Sequence, residues 1–299
     1  MKLSEAGFCR ARDGIFEHGR KLERLRFEHC FEHAGREAAT AELATYQNPD
    51  GGFGNGIEPD FWLPDSSPMA TTVGLQVARE LGLDAGHPIV DAALDYLSLT
   101  FAADLRGWYA VPRTVNDYPH APWWHRQPGV EPDPHALRLN PGAEIVGYLL
   151  SWGRGDFREW VADLVDGAGV LESHQLLCCL RLADAPGLDK TNREAVLELI
   201  RRSAPAAIET DPSRWAGYCL KPLAAVPKPD ALLFEAFADP IAVQLDYEIE
   251  QQCEATGLWL PHWSWLTSYP ESWSLAKLRW AGIITLDTLR SLGHYDRIE

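Results

Sequence analysis

Basic residues are scarce in this chain of 299: 27 Lys and Arg stand against 43 Asp and Glu, for a formal charge of −16. A surface that neutralises nucleic-acid phosphates needs the opposite balance, so nucleic acid is excluded as an expected partner. Long apolar runs are missing too. None approaches the roughly 18 residues of a membrane span, and Met1-Lys2-Leu3-Ser4-Glu5-Ala6-Gly7-Phe8 has no apolar signal core. These absences predict a soluble, cytoplasmic protein without a transmembrane segment. Cysteine is present, but Cys9, Cys30, Cys178, Cys179, Cys219 and Cys253 have neither disulfide nor Cys-x-x-Cys spacing and read as small core residues. No linker-like or low-complexity break occurs, and a hydrophobic content of 46% is ample for one large core. A single domain over 1–299 is therefore expected.

Convincing β alternation is also lacking, and what the chain has instead is helical periodicity. Met69 to Leu81 is nearly apolar (Ala70, Val73, Leu75, Val77, Ala78) and is closed by Gly82, a good helix stop. Ile89 to Phe101 differs: Val90, Leu94 and Leu97 form one stripe while Asp91 and Asp95 share another face. The alternation continues with apolar Ala143 to Trp152, amphipathic Asp156 to Asp166 and apolar Gln175 to Ala183. Next comes a segment opened by Thr191 and Glu194 in capping-box spacing, then apolar Trp215 to Ala225 and the long segments Pro240 to Cys253 and Trp273 to Leu292. About six buried helices interleaved with about as many amphipathic ones is the pattern of an all-α fold, either an α/α barrel or a helical solenoid, and the irregular repeat favours the closed barrel.

Between the first helical segment, which ends Glu42-Leu43-Ala44-Thr45-Tyr46, and the apolar one at Met69 lies Gln47-Asn48-Pro49-Asp50-Gly51-Gly52-Phe53-Gly54-Asn55-Gly56. In such a turn the Gln amide can bond the frayed backbone of a helix, the glycines can take left-handed conformations, and the aromatic ring covers the corner. The segment resembles the Gln-Trp repeat of the squalene cyclase and protein prenyltransferase superfamily, with Phe53 where Trp often stands. A degenerate second copy is visible where Gly257-Leu258-Trp259 follows Gln251 and Gln252. The resemblance implies an α/α toroid of about six helical hairpins, with inner helices lining a central cavity.

In a toroid the loops leading into the inner helices lie at one mouth of the cavity, where helix N-termini carry partial positive charge. Carboxylates and aromatics in those loops are the site candidates. Ile57 to Pro68 brings Glu58, Asp60 and Asp65 ahead of an apolar helix; paired carboxylates in a partly dry cleft can have their pKa values driven apart, one becoming an acid and the other a base. Equally, Asp65 or Ser66 caps that helix and Glu58 is solvated. The insertion Asn116 to His125 offers Tyr118, Trp123, Trp124 and His125, which supply π faces and a titrating group together or simply plug the barrel. Glu144 opens an apolar helix, as a first-turn dipole partner or a cavity-facing acid. Trp259 to Trp273 adds His262, Trp263, Trp265, Tyr269, Glu271 and Trp273, while Trp259 itself reads as structural.

The comparison with the superfamily also excludes activities. The Asp-x-Asp-Asp motif of alkene-protonating cyclases is absent, the prenyltransferase zinc pattern fails because Gly217 stands two residues before Cys219, and no Cys-Gly-Glu-Gln thioester occurs. No metal or other cofactor is expected. The leading expectation is an enzyme acting on a small-molecule or lipid-like hydrophobic substrate, isoprenoids included, with aromatic faces stabilising carbocation character. The alternatives are a carbohydrate-active hydrolase or lyase, the latter using His125 and Tyr118, and a non-catalytic binding or scaffold toroid.

Overall fold

The computed structural model describes residues 1–299, and its regular secondary structure is helical, with isolated β-bridges in the loops between helices. In order the helices are α1 (Glu5–His18), α2 (Lys21–Phe31), α3 (Glu37–Ala44), α4 (Pro68–Glu80), α5 (Pro88–Leu99), α6 (Pro134–Leu137) and α7 (Ala143–Ser151). They continue with α8 (Arg158–Gly167), α9 (Ser173–Ala183), α10 (Lys190–Ala207), α11 (Pro222–Ala225), α12 (Phe234–Glu250) and α13 (Pro270–His294). None is long and apolar enough to cross a membrane. The chain divides into two compact units: a central one, Leu43–Ala207, and a terminal one built from Met1–Glu42 and Ile208–Glu299.

In the central unit α4 packs on α5 and α7, and α9 packs on α7 and α10. The start of α4 follows from its sequence: Ser67 Oγ accepts from Ala70 N at 3.1 Å and Pro68 occupies the first turn, where its missing N–H costs nothing. Ser67 is thus the cap, one place beyond the residues expected. Ala70, Thr71, Thr72, Gly74, Leu75, Val77 and Ala78 are buried, and Gly82 ends the run with φ +64°. On α5 the stripe is one-sided, as the sequence predicts. Val90, Leu94 and Leu97 are buried, whereas exposed Asp91 and Asp95 face water and pair with Arg154. The reciprocal capping box belongs to Glu172 and Gln175 at the head of α9; α10 is capped instead by Asp189, whose Oδ1 accepts from Asn192 N at 3.1 Å. The carboxylate one residue before the helix outcompetes Thr191.

In the terminal unit α13 packs on α1 and α2, and α11 packs on α12. The two chain ends pair: Leu3 N donates to Arg297 O at 2.7 Å and Glu299 N to Leu3 O at 3.0 Å. The charge-rich α2 carries an ionic core, since Glu23 is fully buried and receives both Nε and Nη2 of Arg20 at 2.8 Å. Trp215 to Ala225 is not one helix: a 3-10 turn, Pro212–Arg214, ends at Trp215, non-helical backbone follows, and only the last four residues form the single turn α11. Trp215 is itself buried, its Nε1 donating to Glu209 O at 2.8 Å. Its apolar content fills a core position without needing regular backbone. The last amphipathic segment begins earlier than expected, at Phe234, and breaks its helical geometry at Phe237, three residues before Pro240.

Each unit contains the same turn. In the central unit Gln47 Nε2 donates to Gly51 O and to Ile89 O on α5, both at 2.8 Å, and Phe53 N donates to Thr71 Oγ1 at 3.0 Å. In the terminal unit Gln252 Nε2 donates to Gly257 O at 2.9 Å and to Gly7 O on α1 at 2.7 Å, and Trp259 N donates to Thr285 Oγ1 at 2.9 Å. The glycines match as well. Gly51 (φ +88°) presses against Ala92 O, and Gly257 (φ +71°) against Arg10 O, each three residues beyond the carbonyl that the glutamine holds. A left-handed glycine is required because a Cβ would sit 2.3 Å from Ala92 O and 2.1 Å from Arg10 O.

Candidate functional site

The residues named from sequence fall into three groups, each within one unit. The first is the loop pair of the central unit. Asp60 O accepts from Ala121 N at 2.7 Å, Trp62 N donates to Pro119 O at 2.9 Å, and Phe61 and His120 form an antiparallel bridge. The segment from Glu58 to Trp62 therefore lies alongside the segment from Pro119 to Ala121. Both carboxylates are buried, Glu58 and Asp60 being 8% and 5% exposed, and Glu58 Oε1 accepts from Asp60 N at 3.1 Å. Asp65 is exposed and stands apart from this arrangement.

The aromatic insertion is tied at its neck, where the Asn116 side chain bonds both N and O of Arg126 at 2.9 and 2.7 Å. Within it Trp124 packs edge-on against buried Phe61 with centroids 5.2 Å apart, while Trp123 is 51% exposed and His125 is also exposed. One face of the loop is thus structural and the other open. Buried His120 links them: its Nδ1 lies 2.6 Å from Tyr118 O, and its Nε2 lies 3.1 Å from His125 Nδ1, the rings stacked at 5.3 Å.

The carbonyl contact fixes one proton, and the second follows for the neutral pair. A carbonyl oxygen only accepts, so His120 Nδ1 carries hydrogen; a neutral His120 then offers the Nε2 lone pair, and His125 Nδ1 donates to it. A neutral His125 is left with an unprotonated Nε2 on the exposed side. In that tautomer His125 can accept a proton at Nε2 while a second imidazole holds its Nδ1–H.

The second group surrounds Glu144, in the first turn of α7 and 3% exposed. Its Oε1 accepts from Gln76 Nε2 on α4 at 2.8 Å and from Tyr148 Oη at 2.7 Å; its Oε2 accepts from Arg181 Nη1 on α9 at 2.9 Å and from Cys178 Sγ at 3.7 Å. A carboxylate with both oxygens engaged is a positioning group, not a free acid. Burial, reinforced by Glu144, pushes the Tyr148 phenol and the Cys178 thiol well above their ordinary values. Burial opposes the Arg181 charge, but Glu144 outweighs it and holds the guanidinium above its ordinary range.

The third group lies in the terminal unit. Lys221 Nζ donates to buried Glu248 Oε1 at 2.7 Å and to His262 Nε2 at 3.1 Å, and stands 5.3 Å from the Tyr247 ring centre. Gln244 Nε2 also donates to Glu248 Oε1, at 2.8 Å. Burial and the neighbouring ammonium lower the His262 pKa. Trp263 packs edge-on against Trp280 at 5.1 Å, and fully buried Trp265 lies against Trp273 at 5.8 Å. Exposed Tyr269 precedes α13 in a left-handed conformation (φ +47°), and exposed Glu271 lies in the first turn of that helix.

Sequence reasoning did not single out His120, Gln76, Arg181, Lys221, Gln244 or Glu248. A signal existed for Arg181, the one charge inside the apolar run of α9. No three His, Cys, Asp or Glu side chains converge to hold a metal ion. No family model, curated protein or solved structure matches the chain.

Proposed function

We propose that the chain is an α/α-toroid enzyme acting on carbohydrate, with His125 as general base at the open face of the loop from Asn116 to Arg126. The observation that carries this reading is the ordered contact from Tyr118 O through His120 to His125, which leaves His125 Nε2 as a proton acceptor. Exposed Trp123, two residues away, supplies a flat apolar face on which a sugar ring stacks. In a lyase His125 Nε2 takes a proton from a sugar C–H acid, the freed electron pair forming a double bond as the glycosidic oxygen leaves the β carbon and is protonated by water. In a hydrolase it takes the proton from the attacking water, whose oxygen bonds the anomeric carbon as the glycosidic oxygen leaves and is protonated by water. His120 accepts the His125 Nδ1–H bond throughout and shares the positive charge. The buried Glu58 and Asp60 lie on the segment paired with His120.

The toroid part of the proposal rests on the duplicated turn. Gln47, Gly51, Phe53 and Thr71 repeat as Gln252, Gly257, Trp259 and Thr285, and a resemblance seen as one clear and one degenerate motif becomes two equivalent hydrogen-bonded devices. The same device supports the second reading, an enzyme of the terpenoid cyclase and prenyltransferase-like class acting on an isoprenoid. The exposure of Trp123 and His125 favours the polar substrate, because carbocation chemistry needs water excluded from the reacting centre.

A panel of neutral and uronate-containing polysaccharides, assayed for new reducing ends and for the ultraviolet absorbance of unsaturated products, tests the proposal. Turnover is expected, with His125→Ala lowering kcat by about 10²- to 10⁴-fold. Turnover of squalene or a polyprenyl diphosphate, with no reaction on any glycan, would transfer the assignment to the cyclase-like reading.

A further inference from the structure

The side chains where α4, α7 and α9 meet combine two properties. Burial works strongly against the Arg181 charge, yet 34% of its side-chain surface remains open to solvent. A guanidinium held by protein on one side and open to water on the other forms a wall that a ligand can reach. Glu144 pins one edge of that guanidinium through Nη1 and is itself held by Gln76 and Tyr148, so Arg181 is fixed before any ligand arrives. Its Nε and Nη2 donors make no hydrogen bond within the protein. Arg79, an exposed cation on α4, lies with its Cζ 5.8 Å from the centre of the same Tyr148 ring, and its side chain donates a long 3.4 Å hydrogen bond to Ser151 Oγ.

We propose that this wall is an oxyanion-binding site, in which the Nε and Nη2 edge of Arg181 grips a carboxylate or phosphate in bidentate fashion and Arg79 adds the second positive charge. The geometry suits that ligand. A guanidinium offers two parallel N–H donors matched to two oxygens of one anion, and a pre-oriented fork loses little freedom on binding. Glu144 neutralises one of the two arginines, leaving one net positive charge for the ligand. Glu144 is therefore a positioning residue that aims Arg181, which accounts for a carboxylate so fully engaged at the head of an apolar helix. The site rests on α4, α7 and α9 alone and does not depend on the assignment of His125.

The full chain is titrated with inorganic phosphate, diphosphate, glucuronate and, as a neutral control, glucose. Binding is read by calorimetry, and modification of Arg181 by phenylglyoxal is followed by peptide mass spectrometry. The anions are expected to bind and to slow modification of Arg181, while glucose does neither. Arg79→Gln is expected to weaken binding about tenfold, the loss of one charge-assisted contact. Arg181→Lys keeps a cation beside Glu144 but lacks the fork, and is expected to lose anion binding while its unfolding midpoint stays near that of the parent protein. Tighter binding of diphosphate assigns the site to a phosphorylated ligand, and tighter binding of glucuronate assigns it to an acidic sugar. Equal modification of Arg181 with and without every anion, or undiminished binding in both variants, overturns the proposal.

Discussion

The main-chain amide of Trp259 donates to Thr285 Oγ1 at 2.9 Å, and that hydroxyl donates in turn to Ala281 O at 2.6 Å. Phe53 and Thr71 repeat the relationship: the Phe53 amide reaches Thr71 Oγ1 at 3.0 Å, and Thr71 donates to Ser67 O at 2.8 Å. In both copies a threonine inside a helix spends its hydroxyl on a buried amide at the turn, locking an aromatic corner to that helix. Thr71→Val and Thr285→Val leave that amide without an acceptor and are each expected to cost about 1–3 kcal/mol. Thr→Ser at either position retains most of the stability. Urea unfolding of the four variants measures this.

The turn glycines give a sharper outcome. Gly51→Ala and Gly257→Ala place a Cβ within 2.3 and 2.1 Å of a helix carbonyl at positive φ. Each is expected to destabilise by about 2 kcal/mol or more, because strain and a backbone clash act together. A thermal unfolding midpoint unchanged in both would contradict the requirement for glycine.

Removing Glu144 strands four donors, those of Gln76, Tyr148, Arg181 and Cys178. Glu144→Ala is expected to cost roughly 3 kcal/mol, toward the lower end for a broken buried pair because Arg181 is still partly hydrated. Glu144→Gln, which retains an acceptor, costs less. Denaturant titration ranks them, and equal stability of the two variants would show that the carboxylate charge contributes nothing.

Thiol reactivity separates the cysteines. Burial raises Cys179 to about 12 and, together with Glu144, lifts Cys178 well above its ordinary value, whereas hydrogen bonding to Thr256 lowers Cys253. At neutral pH Cys253 holds the larger thiolate fraction. Iodoacetamide labelling read by peptide mass spectrometry is expected to modify Cys253 while Cys178 and Cys179 stay unmodified until the chain unfolds.

His262 makes stability depend on pH. Its folded pKa is depressed, first by burial and then by Lys221, so the unfolded chain binds the proton more readily. Stability from this group is complete above the unfolded value of about 6.5 and is lost as pH falls from there toward the folded value. His262→Gln, which preserves an acceptor for Lys221, is expected to flatten the stability profile below about pH 6.5. An unchanged slope in unfolding experiments at successive pH values would remove His262 as its source.

Much of the fold was legible in the residues. The apolar run at Met69 marked α4, the two-faced pattern at Ile89 marked α5, and Gly82 stopped the former where a left-handed glycine was required. Apolar content misled at Trp215 to Ala225, because a buried tryptophan needs a core, not a helix. The candidate site was legible by type more than by place. His125, Trp123 and Glu144 stood out as residues costly to bury or to expose without a partner, but their partners came from elsewhere in the chain. His120 became meaningful only once its two ring nitrogens were seen to face a carbonyl and a second imidazole. Arg181, the lone charge in α9, gained its role from a carboxylate on α7 and an amide on α4.

What the sequence determined by itself was helical character, the positions of stops and turns, and the glutamine–glycine–aromatic motif. All of these follow from interactions within a few residues: side-chain periodicity, capping and the conformational freedom of glycine. Tertiary structure alone decided that the motif at Gln47, which the sequence showed clearly once, is built twice. It also decided which carboxylates are spent on holding neighbours and which two histidines meet. Those outcomes depend on hydrogen bonds between residues far apart in the chain, whose partners are set by packing rather than by local sequence.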